Sequence, residues 1–356
     1  MGGAVALKGS DGAALLETAR ARGAVPVSPG RTAEALRPLA AARLEIELLT
    51  APGEMGEEEA RAAGLEPVVV GSIGRTTTAA DTRAAALAMA ERDVELLLFA
   101  GGDGTAVDVL EAVGERIPVL GVPAGVKMHS AVFAVNPRSA GELALLVARG
   151  RVRETREAEV MDVDEDALRA GTLSARLHGY ARVPVQPSLV QGGKARSGGS
   201  ERGAQEGIAR YLIDRVVGDH TCLVGPGSTT RALMTALGLE KTLLGVDVIR
   251  GGALVAKDAD ERRLLELAAD GDARIVVTPV GGQGFVFGRG NQQLSARVIE
   301  LVGRENVVVV ATEAKITALG GRPLLVDTGD PAVDRLLSGY IRVVSGYGRE
   351  LVYRIA

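Results

Sequence analysis

The chain has 356 residues, 46% of them hydrophobic and 24% charged, with a formal net charge of -4 and no basic stripe, which argues against a nucleic-acid footprint. That length suggests about two domains and is ample for a buried core without covalent staples. A single cysteine, Cys222, and three histidines without an HExxH pair argue against a disulfide framework, a thiolate cage and a histidine-based zinc site.

The first dozen residues, MGGAVALKGSDG, lack the basic and apolar regions of a secretory leader, and no apolar run reaches the ~18 residues of a membrane span. No membrane partner is therefore expected, and cytoplasm is the expected compartment. This glycine-rich opening leads into a helix, Gly12–Arg22, with no strand ahead of it. A Rossmann-like domain usually opens on a strand, so either the numbering begins just after one or the sheet is shortened.

Next come short, non-alternating runs of Val, Leu and Ile at Leu44–Leu49, Pro67–Val70, Val94–Ala100 and Ile117–Val122. They read as parallel strands covered on both faces. Between them, Thr32–Ala42, Thr78–Arg92 and Thr105–Val113 carry helical periodicity, with Asp81 and Thr105 at cap or first-turn positions. Such alternation predicts α/β architecture: a Rossmann-like N-terminal domain with a parallel sheet.

The charged segment RGRVRETREAEVMDVDEDA, Arg149–Ala167, sets a boundary near residue 150, giving domains 1–150 and 151–356. Its acidic run Asp162–Asp166 reads as a solvated face. Gln191–Gly207, rich in Gly, Ser and charge, reads as a loop. Beyond it the alternation resumes with strands Thr221–Val224, Thr242–Ile249, Ala273–Thr278 and Asn306–Ala311. Helices Ser228–Leu237, Ala259–Ala269 and Ser295–Val302 separate them, and a last helix is expected near Pro331–Leu337. The second domain is thus α/β as well, or β-rich, and its C-terminal segment is a candidate to return to the first.

The chemistry concentrates in LLLFAGGDGTAVDVLEAVGE, Leu96–Glu115. GGDGT, Gly101–Thr105, stands at the carboxyl end of a strand and opens a helix, where open α/β sheets bind ligands. Glycines let backbone N–H groups approach a phosphate, and the helix start adds positive dipole. An aspartate there fits phosphate chemistry when it holds Mg²⁺ or takes a proton from an attacking hydroxyl. The next strand leads into GVPAGVKMHS, Gly121–Ser130, where Gly125 and Lys127 could cradle a phosphate. His129 in that stretch reads as a structural imidazole. LVGPGSTTRAL, Leu223–Leu233, repeats the physics, and Arg231 is a plausible extra anion ligand. VTPVGGQGFVFGRGNQQLS, Val277–Ser295, suits either a hairpin or a cleft wall with Arg289 and Asn291. VDTGDP, with Asp327 and Asp330, reads as a turn, and Cys222 as core.

GGDGT after a hydrophobic strand, then ERIPVLGVPAGVKMHSAVFAVNP and GPGSTT, resembles the ATP-NAD kinase family. That family lies within the superfamily that also holds diacylglycerol kinases and 6-phosphofructokinases. The likeness is greatest to its bacterial and archaeal branch of predicted polyphosphate/ATP-NAD kinases, also called AcoX-like. The resemblance implies two domains with the active site in the cleft between them. It implies phosphoryl transfer from ATP, or polyphosphate, to the 2′-hydroxyl of NAD, with Mg²⁺. By the same resemblance Asp103 would be the general base on that hydroxyl, or would bind it and the metal. Gly101, Gly102, Gly104 and Thr105 would frame the nucleotide, joined by the second motif, Gly227, Ser228, Thr229 and Thr230. The assembly expected is a homo-oligomer. The family's Asn-Glu pair for the adenine end of NAD has no counterpart between residues 150 and 190. That leaves open a different small hydroxyl acceptor, or a nucleotide sensor without catalysis. GxGxxG after the first strand and a Walker A sequence are both absent, which sets a dehydrogenase and a P-loop aside.

Overall fold

A computed structural model gives the fold, and it describes residues 2–7, 13–125, 128–163, 175–186, 189–190, 201–242, 244–280 and 283–356. The chain divides into two compact units. One comprises Val25–Asp164 and Leu173–Gly193, the other Met1–Ala24, Glu165–Thr172 and Lys194–Ala356. Helix α1 (Ala13–Ala21) goes with the second unit, as does the C-terminal segment.

The first unit runs α2 (Ser28–Ala42), β1 (Leu49–Thr50), α3 (Glu57–Ala62), β2 (Val68–Val69), α4 (Ala79–Ala90), β3 (Leu97–Gly101), α5 (Asp103–Val113), β4 (Val119–Pro123), α6 (Pro137–Ala148), β5 (Thr155–Val163) and β6 (Ala175–Pro184). The pairs β1–β2 and β3–β4 are parallel, and β4 is buried along its whole length as expected; the run Leu44–Leu49 is strand only from Leu49, and both residues of β2 are exposed instead of covered on two faces. Ala106, Val109 and Val113 fall on one face of α5 and pack with Phe99 and Phe133. The chain does not leave this unit at residue 150. Strands β5 and β6 pair antiparallel, and Ala158, Val160, Ala181 and Val183 enter the same core at the alternate spacing of half-buried strands. Charge on their outward positions hid that alternation. At the start of α4 the Thr78 N–H donates to the Asp81 carboxylate at 2.8 Å, the first-turn acid expected there.

The second unit runs α7 (Glu201–Leu212), β7 (Thr221–Val224), α8 (Ser228–Ala236), β8 (Asp247–Arg250), β9 (Ala253–Ala256), α9 (Glu261–Ala268), β10 (Ala273–Val277), β11 (Phe285–Phe287), α10 (Ala296–Val302), β12 (Val307–Val310), α11 (Glu313–Thr317), β13 (Leu325–Val326), α12 (Pro331–Leu337), β14 (Gly339–Gly346) and β15 (Arg349–Ile355). Seven strands form one mixed sheet in the order β15-β14-β12-β10-β7-β8-β9. The four central strands are parallel, and β8, β9 and β15 are antiparallel additions at the edges. Successive residues of β10 feed opposite faces. Ile275 and Val277 pack with Leu264 and Ile299, and Val276 packs with Leu212 and Leu233.

Two expectations for the second half of the chain also need correction. Residues 201–207, expected as loop, are the start of α7. Its apolar stripe emerges only at Ile208, Ala209 and Leu212, after two polar turns; residues 191–200 lie outside the described residues. The strand expected over Thr242–Ile249 begins only at Asp247, because the preceding residues wrap around that carboxylate. Of the acidic run, Asp162 is in β5 and residues 164–166 lie outside the described residues.

Candidate active site

Gly101 ends β3 directly beside Pro123 at the end of β4. Its carbonyl accepts the N–H groups of both Ala124 and Gly125 at 3.0 Å, so the segment after β4 folds across the end of β3. This crossing requires glycine at 125, and the turn into α5 requires it at 101. A Cβ on Gly125 would lie 2.9 Å from the Gly102 Cα, and one on Gly101 would lie 2.2 Å from the Thr105 Oγ1. Helix α5 then starts at Asp103, with Gly104 exposed in its first turn. The N–H groups of Asp103, Gly104 and Thr105 have no carbonyl one helical turn back. They present the positive helix end at the carboxyl edge of the strands.

Asp103 is buried, at 8% exposure, and both its oxygens are engaged. Oδ1 accepts the Ser130 N–H at 2.9 Å and the Ser130 hydroxyl at 2.6 Å. Oδ2 accepts the His129 N–H at 2.8 Å and faces the His129 Nδ1 at 3.3 Å. The Ser130 Oγ in turn accepts the Met161 N–H of β5 at 2.9 Å. Three donors thus reach the carboxylate, and the fourth contact, to the His129 Nδ1, is a donation only in the Nδ1–H tautomer. Among the described residues no group of three or more His, Cys, Asp or Glu side chains could hold a metal ion. What Asp103 does in this arrangement is tie residues 129–130 to the head of α5.

His129, expected as a structural imidazole, is buried beside Asp103. Its side chain is 6% exposed, and its Nε2 finds no hydrogen-bond partner among the described residues. Lys127, expected to reach a phosphate, lies outside the described residues. Arg31, from the first turn of α2, brings a cation to the same edge, its Nη1 donating to the Pro123 carbonyl at 2.9 Å. Nothing in the surrounding sequence, SPGRTAEAL, marks it.

A second edge of this kind lies in the second unit, where β7, β10 and β12 end side by side. Gly227, at φ 138°, caps α8 in a conformation that favours glycine, and a Cβ there would lie 2.3 Å from the Thr278 Cγ2. Ser228 is exposed in the first turn, as is Arg231 in the next residues of the helix. Thr229 and Thr230 are fully buried. The Thr230 hydroxyl is turned back onto the Gly225 and Gly227 carbonyls at 2.8 and 3.0 Å. The Thr229 hydroxyl accepts from the Lys315 Nζ at 2.9 Å, and the Thr278 hydroxyl does so at 3.3 Å. Lys315 was missed because its segment, TEAKITALG, reads as an ordinary surface helix. Its place next to the second motif comes from β12 and β10 being sheet neighbours.

Two other candidates hold the fold together. Arg289 and Asp327 form a buried ion pair at 3.0 Å. Asn291 accepts the Gly288 N–H and donates to the Val286 carbonyl. Asp330 caps α12 through the Ala332 N–H. A cavity of about 700 Å³, lined by Glu95, Pro118, Arg149, Arg153, Glu154 and Pro184, lies at the amino ends of β3 and β4. It is remote from the carboxyl edge where open sheets bind ligands.

Two family models match the chain: the ATP-NAD kinase N-terminal domain over residues 29–152 and the ATP-NAD kinase C-terminal domain over residues 219–355. The chain belongs to the ATP-NAD kinase family. As an ATP-NAD kinase it is a phosphotransferase that acts on a hydroxyl group, and its substrate is NAD. The reading as a sensor without catalysis falls away with that membership. No curated protein and no solved structure matches the chain. Among the described residues no helix is long and apolar enough to cross a membrane.

Proposed function

We propose that this ATP-NAD kinase moves the terminal phosphoryl group of ATP to the 2′-hydroxyl of NAD, giving NADP. The observation that carries the reading is the GGDGT turn at the carboxyl edge of β3, with its acid at the head of α5 and its glycines at backbone contact. Phosphoryl transfer asks a protein mainly for positioning and for stabilisation of spread negative charge. Gly101, Gly102, Gly104, Thr105 and Gly125 offer backbone approach and helix-start N–H groups for phosphate oxygens. Gly227, Ser228, Thr229 and Thr230 offer the same at the start of α8, and the side chains of Arg231 and Lys315 add charge. Mg²⁺ enters the proposal as the counter-ion of the donor phosphates, a cation that keeps several waters and is bound largely through substrate oxygens. Cytoplasm is the proposed compartment and a homo-oligomer the proposed assembly, which light scattering of the purified chain would check.

The test is NADP formation from NAD with γ-labelled ATP and Mg²⁺, run beside labelled polyphosphate as the rival donor. Label in the 2′-phosphate from ATP supports the reading. Label from polyphosphate alone replaces the donor, and label in neither case rejects the reading.

A further inference from the structure

Two helices of the first unit begin at the same carboxyl edge, one on each face of the sheet. Leu97 and Phe99 of β3 pack with Ala106 and Val109 of α5, whereas Leu98 and Ala100 pack with Ala35 of α2 on the opposite face. Helix α5 opens with Asp103 of the GGDGT turn, and the first turn of α2 carries Arg31. We propose that Arg31 is a ligand of the donor's terminal phosphate, facing the head of α5 across the strand ends. This rests on the phosphoryl-transfer reading above.

Three observations carry it. The Arg31 Nη1 donates to the Pro123 carbonyl at 2.9 Å, and Pro123 stands in register with Gly101. That bond sets the guanidinium one strand spacing, about 4.8 Å, from the backbone where the GGDGT turn begins. Second, Arg31 lies one turn before Ala35 on the same face of α2, and Ala35 is buried against Leu120 and Val122 of β4. Helical side chains lean toward the helix N-terminus, which here is the edge where the strands end. Arg31 is half-buried there and not sealed in the core. Third, the chemistry is complementary. Phosphoryl transfer spreads negative charge over the equatorial oxygens, and the planar fork of a guanidinium matches them. Asp103 places a negative charge at this edge, and a fixed cation offsets it where a polyanion has to settle.

In this scheme the N–H groups at the start of α5 hold the phosphate from one face of the sheet and Arg31 from the other. Arg31 moves no proton. It is a catalytic residue through charge and position alone.

The experiment combines kinetics with a direct measurement on the unaltered protein. Arg31→Gln keeps an N–H donor for the Pro123 carbonyl and removes the charge. Its kcat should fall about 10²- to 10³-fold, the usual effect of removing one donor that stabilises developing charge. Inorganic triphosphate, as a competitor of ATP, should bind about tenfold more weakly, the loss of one charge-assisted contact. The KM for NAD should stay within about threefold, since Arg31 serves the donor. Unchanged turnover overturns the proposal, as does a KM for NAD that rises as far as the triphosphate constant, the mark of a merely structural role. In the wild type, phenylglyoxal labelling located by peptide mass spectrometry should reach Arg31, and inorganic triphosphate should suppress it. Absent labelling, or labelling that triphosphate leaves unchanged, overturns the proposal even if Arg31→Gln does not fold. If the wild type makes NADP while triphosphate leaves Arg31 unprotected, this inference alone falls. If triphosphate protects Arg31 and no NADP forms, the phosphate site stands and the reaction falls.

Discussion

Ser130 gives Asp103 both of its donors, the backbone N–H at 2.9 Å and the hydroxyl at 2.6 Å, on one carboxylate oxygen. The same hydroxyl oxygen accepts from Met161 on β5, so one side chain links the helix head, the segment after β4 and the hairpin. Ser130→Ala removes a hydrogen bond to a charged acceptor and strands the Met161 N–H. Hydrogen bonds to charged groups contribute about 1.5–3 kcal/mol, so urea unfolding should show a loss of about 2 kcal/mol. An unchanged midpoint would mean that the clamp is energetically idle.

Asp103→Asn keeps the shape but turns an amide NH₂ toward N–H or O–H donors. Whichever way the amide flips, one side opposes donor to donor. The loss of stability should exceed that of Ser130→Ala, and kcat should fall by at least about 10²-fold. Steady-state NADP formation and a urea titration on one preparation check both. Near-normal turnover would remove Asp103 from the chemistry.

Lys315→Met tests the second edge. Replacing the ammonium by a thioether of similar length should spare the sheet and cost one charge-assisted contact to phosphate. A contribution of about 1.4 kcal/mol predicts a KM for ATP about tenfold higher, with kcat little altered. An unchanged KM would confine Lys315 to bridging Thr229 and Thr278.

Gly227→Ala probes the turn before α8. Its φ of 138° and the 2.3 Å approach to the Thr278 Cγ2 leave no room for a methyl group without movement. Strain of this kind costs about 1–3 kcal/mol, readable as a lowered Tm. A neutral outcome would show that the Gly225–Thr230 turn relaxes freely.

The Lys241–Asp247 pair supplies the pH dependence. Asp247 is fully buried, which by itself would raise its carboxyl. The Lys241 ammonium at 3.1 Å, with N–H groups of Asp258 and Thr242 at 2.9 and 2.8 Å, instead holds it below the ordinary range. A group whose folded pKa is depressed stabilises the fold above its unfolded value of about 3.9. That stabilisation is lost as pH falls through the lower folded value. Lys241→Met leaves the charge buried alone and should cost about 3–5 kcal/mol at neutral pH. The penalty should shrink on acidification as Asp247 takes a proton, and denaturant titrations from pH 7 down to pH 4 check the trend.

The parallel strands and the helix starts were legible because their signals are local: unbroken Val, Leu and Ile runs, then Gly-Asp-Gly or Gly-Ser-Thr turns. Helix α12 lies at Pro331–Leu337, where it was expected. The β5–β6 hairpin was not legible, since its inward residues are mostly alanine and valine between arginines and glutamates. The site was legible where one motif carries it, at Gly101–Thr105. What Asp103 touches was not, because its donors come from 26 and 27 residues away in sequence. Lys315, 86 residues beyond Thr229, is hidden for the same reason. Contacts made by sheet order leave no trace in spacing.

Cys222 has one practical consequence. Burial pushes its thiol up to about 11, and the side chain is fully enclosed in β7, so it stays protonated and unreactive at neutral pH. The natural chain thus already serves as a silent background for maleimide chemistry. A Gly104→Cys or Ser228→Cys variant, each at an exposed position, would carry its dye at that point alone, and nucleotide arrival could be read as a change in fluorescence.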